Sequence, residues 1–152
     1  MAETLGSLCD KLTIVKLKQW HTEDPDRLQS LSAQESQLCS EIDEFLASAV
    51  GGVIPLERLT FAANKVFRQA GNEVAAVTGA IGQVFAQLAA VNCELWHEQE
   101  KVYSFEDVPA DQKNVVVKQL AVLNLRRNQC IDRIDRLLRE QVESMSARTG
   151  KD

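Results

Sequence analysis

Residues 120–138, LAVLNLRRNQCIDRIDRLL, decide the fold. Leu120, Leu123, Arg127, Cys130, Ile134, Leu137 and Leu138 recur at three- and four-residue steps, so one stripe of a long helix is apolar and must face a core. The same phases return in residues 28–46, LQSLSAQESQLCSEIDEFL, at Leu28, Leu31, Glu35, Leu38, Ile42, Phe45 and Leu46. Upstream of each stretch lies a second matched pair. Setting Trp20-His21 on Trp96-His97 brings Gly6 onto Gly82, Leu12 onto Leu88 and Val15 onto Val91. Each half reads as a helical hairpin that cannot bury its apolar stripe alone. Two such hairpins predict an all-α fold, an antiparallel four-helix bundle in a single domain. The divisions are a hairpin over 3–48, a connector over 49–72 containing a short helix, and a longer hairpin over 73–149.

The composition agrees. A chain of 152 residues is long enough for one domain with a sizeable core and needs no cofactor to hold it together, and none is expected. Hydrophobic residues make up 45%, and only 7 Gly and 3 Pro are present, which favours long helices over many short strands. A net charge of −5 argues against a nucleic-acid-coating protein, which carries a basic footprint. Cys9, Cys39, Cys93 and Cys130 lie far apart without a C-x-x-C pair, and Met1-Ala2-Glu3 does not resemble the basic start expected of a signal peptide. That combination predicts a cytoplasmic protein with unpaired thiols, although a Cys9–Cys39 bridge is geometrically conceivable.

In chain order, Leu5, Leu8, Leu12, Val15 and Trp20 predict a helix from Glu3 to about His21. Asp24-Pro25 breaks it and starts the next, with Asp24 as cap. The second helix runs to about Ser48, and Pro55 to Ala70 is expected to form a short connecting helix. Val77, Ile81, Val84, Phe85, Leu88, Val91, Leu95 and Trp96 define the inner face of a third helix from Glu73 to about Tyr103. Val74 to Val91 contains no charge, but Gln83, Gln87 and many small residues suit a core helix better than a membrane span. A turn around Asp107-Val108-Pro109 leads into a last helix ending near Arg148.

The segments LGSLCDKLTIVKLKQWH, VNCELWHEQE and LNLRRNQCIDRID resemble successive signatures of a bacterial family of small helical proteins classified only as a domain of unknown function. Lys16 stands where that family often has asparagine, the position matched here by Asn92. The resemblance implies a helical, cytoplasmic bacterial protein without an established activity, often encoded among glycosyltransferases for cell-envelope glycans.

Two groups of residues carry candidate chemistry. His21 with Asp24, and His97 with Glu100, place an imidazole and a carboxylate three residues apart, a spacing that suits metal ligation; the competing reading has Trp plugging the core ends and the polar groups solvated or capping. Asn124, Arg127, Asn128 and Asp135 follow one another on the last helix and, with Asn92, would bind a sugar or phosphate between helices. Alternatively they form a buried polar network that sets the register of the bundle. No P-loop, H-E-x-x-H or G-x-S-x-G is present. The leading functional expectation is a non-catalytic binding or scaffold module accessory to envelope-glycan synthesis, and the alternative is a metal-dependent enzyme using His and carboxylate ligands.

Two expectations concern packing. Glu35, Glu41 and Glu44 fall on Arg127, Arg133 and Arg136 in the repeat, predicting a cross-helix ion pair between the second and last helices. The longer connection of the second hairpin carries Val102, Tyr103, Phe105, Val108 and Val116, an overhang expected to form a homodimer interface. The rival is that residues 55–70 fold over that overhang in a monomer.

Overall fold

A computed structural model describes residues 2–62 and 74–149 of the chain. Those residues form an all-helical protein of four helices: α1 (Leu5–Trp20), α2 (Pro25–Val50), α3 (Ile81–Tyr103) and α4 (Ala110–Thr149), with single 3-10 turns at Leu56–Arg58 and Phe105–Asp107. Among the described residues no helix is long and apolar enough to cross a membrane.

The helix ends follow from local chemistry. Thr4 caps α1 by accepting from the Ser7 N–H at 3.3 Å, and Ser7 Oγ accepts in return from the Thr4 N–H at 2.9 Å. His21 closes the helix with its N–H on the Leu17 carbonyl. Asp24 then accepts from the N–H groups of Asp26 and Arg27 at 3.0 and 3.1 Å, with Pro25 in the first turn of α2. Beyond α2, Gly52 takes a left-handed φ of +71° that turns the chain away.

Two predicted helices differ from what forms. Between Pro55 and Ala62 only one 3-10 turn appears, and it ends at Leu59, which is fully buried in the same core as Leu5, Val84 and Ile134; the rest of the predicted connecting helix lies outside the described residues. The third helix starts at Ile81 rather than Glu73. Gly79 adopts φ +115°, which is incompatible with a helix, and Gln83 Oε1 accepts from the Ala80 N–H at 3.0 Å to start α3 just after it.

Helix α1 is the hub. It packs on α2, α4 and α3, while the most extensive helix contact is between α3 and α4. The core joins Leu5 of α1, Ala49 of α2, Val84 and Leu88 of α3, and Cys130, Ile134, Leu138 and Val142 of α4. Because α1 has neighbours on three sides, its buried face is wide enough to include Gly6, Asp10 and Thr13 along with its leucines. At Gly6 the backbones of α1 and α4 touch, and a Cβ there would overlap the Ile131 carbonyl oxygen.

The apolar faces are not all where periodicity puts them. Trp20 is 85% exposed, and Ile81 and Phe85 are 41% and 36% exposed, whereas Asn92 is buried. Among the described residues no ion pair joins Glu35, Glu41 or Glu44 to Arg127, Arg133 or Arg136. Glu35 instead pairs with Lys16 at 2.9 Å, Arg127 with Asp10, and Arg133 with Glu140 at 3.5 Å. The predicted charge exchange fails because α2 packs chiefly on α1: Glu35 meets Lys16 of that helix, while Glu41 accepts from Gln37 of its own.

Candidate functional site

The deepest polar junction lies where α1, α3 and α4 meet. Asp10 is 4% exposed, and its carboxylate accepts two hydrogen bonds from Arg127: Nε to Oδ1 at 2.7 Å, and Nη2 to Oδ2. Asn92 Nδ2 donates to Asp10 Oδ1 at 2.9 Å and to Thr13 Oγ1 at 2.6 Å. The Thr13 hydroxyl donates to the Asp10 carbonyl at 2.8 Å. Hydrogen bonding from Asp10 raises the Arg127 pKa further, against the opposing effect of its burial. Asn92 Oδ1 is buried without a hydrogen-bond partner.

One turn along, Asp135 serves the start of α1. Its Oδ1 accepts from the Gly6 N–H at 2.7 Å, one of the donors that a helix N-terminus leaves unsatisfied, so α4 supplies a cap to α1. Burial pushes the Asp135 carboxyl up to about 6, opposed by hydrogen bonds from Gly6 and Thr4. Burial, with Asp135 and then Asp10 nearby, also raises the Cys9 thiol to about 11.

Open clefts flank this junction. One of about 440 Å³ lies between α1, α2 and α4, with Ile14, Val15 and Leu38 among its apolar lining and Lys11, Lys18, Gln34, Gln37 and Glu41 supplying polar groups. The other, about 460 Å³, includes Thr4, Ser7, Phe61, Asn128, Ile131, Asp132 and Asp135. Asp10, Lys11 and Arg127 line both.

Of the residues expected to bind a ligand, Asn92 and Arg127 converge on Asp10, while Asn128 and Asp135 line the second cleft with Arg127. Asn124 does not join them; it is exposed and donates to the Leu120 carbonyl at 3.0 Å. Asp10, Thr13 and Gly6 are the residues that sequence reading missed. Their signal was present, since 6, 10 and 13 follow the four-and-three step of one helix face directly beside the leucine stripe.

The Trp-His pairs form a second, exposed corner. His21 stacks on Trp96 with ring centroids 4.6 Å apart and planes at 23°, and His97 meets the edge of His21 at 6.2 Å. Glu100 accepts from Trp96 Nε1 at 2.9 Å and pairs with His97 Nδ1 at 3.3 Å. Asp24 is occupied in capping α2. Among the described residues no group of three or more His, Cys, Asp or Glu side chains could hold a metal ion. All four cysteines are free, with Cys39 exposed and Cys130 buried.

At the predicted tip, Tyr103 is 80% exposed and Val115 and Val117 are 57% and 55% exposed. Val102, Phe105 and Val108 are half-buried, and Val116 is buried within the chain at 6%. Lys113 sits 5.0 Å over the Phe105 ring.

Fold and site together define an all-helical protein whose buried polar groups mostly satisfy one another. No family profile, curated protein or solved structure matches the chain.

Proposed function

We propose that this protein is a non-catalytic helical binding or scaffold module, bacterial and cytoplasmic, accessory to cell-envelope glycan synthesis. Its architecture in this reading is an antiparallel four-helix bundle made from two repeats of one helical hairpin, acting as a homodimer joined through the tip around Tyr103. The observation that carries the binding role is the state of Asp10. Its carboxylate is held by Arg127 and Asn92, while the cleft beside it between α1, α2 and α4 offers lysine, glutamine and glutamate alongside Ile14, Val15 and Leu38. Such a lining suits recognition by hydrogen bonds and packing.

The test is a pull-down from the source organism with the wild-type protein and Lys18→Glu as parallel baits. A partner enriched by the first and lost with the second, in a variant of unchanged helicity, supports the reading. The second reading, a metal-dependent enzyme, draws on the proximity of His21 and His97. Elemental analysis decides between them: stoichiometric Mn, Fe or Zn lost on His97→Gln overturns the non-catalytic role.

A further inference from the structure

Helix α3 carries Cys93, His97 and Glu100 at steps of four and three, which sets all three side chains on one face. Cys93 Sγ lies 3.8 Å from His97 Nε2, and His97 Nδ1 lies 3.3 Å from Glu100 Oε2. The other Glu100 oxygen is held by Trp96 Nε1, and the Trp96 ring is braced by His21. Hydrogen bonds from His97 and then Trp96 lower the Glu100 carboxyl from its ordinary range, so it stays an ionised acceptor. A carboxylate facing Nδ1 selects the imidazole tautomer with its proton there and leaves the Nε2 lone pair toward the thiol. Thiol, imidazole and carboxylate in that order form an arrangement that removes a proton from sulfur.

We infer that Cys93 is the nucleophilic thiol of this chain, a site of covalent modification by soft carbon electrophiles of the α,β-unsaturated carbonyl class. In the step, His97 Nε2 takes the thiol proton and the sulfur lone pair forms an S–C bond at the β carbon. The π pair of the C=C bond moves toward the carbonyl as an enolate, and the proton returns from His97 to the α carbon. The adduct contains every atom of both reactants, and no oxidant is required. The other three cysteines lack this arrangement. The chain has two histidines, both in this corner, so exposed Cys39 on α2 has no imidazole, and burial raises the Cys9 and Cys130 thiols. This site goes beyond the binding role proposed above and does not depend on it.

The experiment is limited labelling of the native protein with acrylamide near neutral pH, followed by peptide mass spectrometry of all four cysteines. Cys93 is expected to react about tenfold faster than Cys39. In His97→Gln its rate falls to that of Cys39 or below, and in Glu100→Gln it falls severalfold, while Cys39 is unchanged. Labelling of buried Cys130 reports any loss of fold in a variant; if it appears in His97→Gln, the comparison rests on Glu100→Gln and on the wild-type ratio. Equal rates for Cys93 and Cys39 in the wild-type protein, or a Cys93 rate indifferent to the substitution in a folded variant, would overturn the assignment.

Discussion

Asp10 of α1 and Arg127 of α4 form a two-pronged ion pair whose carboxylate is also the acceptor for Asn92 of α3, so one buried charge ties three helices at a single level. Removing one partner leaves the other charge buried without compensation. Arg127→Ala is expected to cost about 3 kcal/mol, toward the lower end for a broken buried pair because the guanidinium is partly exposed. Replacing both residues with a packed apolar pair, Asp10→Leu with Arg127→Met, should recover much of that loss. Urea unfolding of the single and double variants checks it, and additive losses would contradict the coupling.

At Gly6 no side chain fits against the Ile131 carbonyl. Gly6→Ala must push α1 from α4 and loosen the Asp135 hydrogen bond, with an expected loss of about 1–3 kcal/mol. An exposed helical glycine such as Gly82, with open space around it, supplies the control: Gly82→Ala should stabilise by a few tenths up to about 1 kcal/mol. Thermal unfolding of the two variants in parallel reads both signs.

Asp135 makes stability depend on pH in a direction opposite to most carboxylates. Its folded value of about 6 lies above the ordinary 3.8, so between those limits the folded state binds the extra proton. The contribution is fully present below about pH 4 and is lost as pH rises through about 6, amounting to at most about 3 kcal/mol. Asp135→Asn should therefore flatten the fall in stability between pH 4.5 and 7. If urea midpoints of wild type and variant run parallel across that window, the carboxyl is not buried at its raised value.

Tyr103, Val115 and Val117 are exposed near the junction of α3 and α4, and the dimer proposed above rests on them. Light scattering at micromolar concentration should give twice the chain mass, falling to the monomer mass in Tyr103→Glu with Val117→Glu. Val116 is the wrong position for this test, because a charge placed at a buried valine would unfold the helix pair rather than separate two chains. A wild-type monomer, or a dimer indifferent to both changes, rules the interface out.

In the second cleft, Asn128→Ala distinguishes a ligand site from a structural network. Asn128 is half-buried and lines that cleft. A loss of partner or ligand capture at unchanged urea midpoint assigns it to binding, whereas a loss of about 1 kcal/mol or more in stability assigns it to the helix packing.

The helical class was legible because its causes are local. Apolar residues at three- and four-residue steps, the Asp24-Pro25 start of α2 and the glycines beyond Val50 act within a few residues of where they stand. The same reading carried the third helix too far, since the alanines before Ile81 have helical propensity, whereas Gly79 takes a positive φ outside helical geometry and α3 begins only after it. Periodicity identifies a stripe but not how many neighbours will cover it. It therefore placed Trp20 in the core, where the structure leaves it in solvent, and passed over Asp10 and Thr13, which the structure buries.

By itself, then, the sequence determined that this chain is helical, where most of its helices begin and end, and that polar groups on α4 lie beside its apolar stripe. Tertiary structure alone decided which carboxylate meets Arg127, that Asp135 caps a helix far from it in sequence, and that His21 stacks on Trp96. The reason is physical: helix formation is governed by hydrogen bonds and side chains within a few residues, whereas the partners of a buried charge depend on which helix faces which. That choice is made by close fits such as the bare backbone at Gly6 against α4, whose effect appears only when two distant segments are in contact.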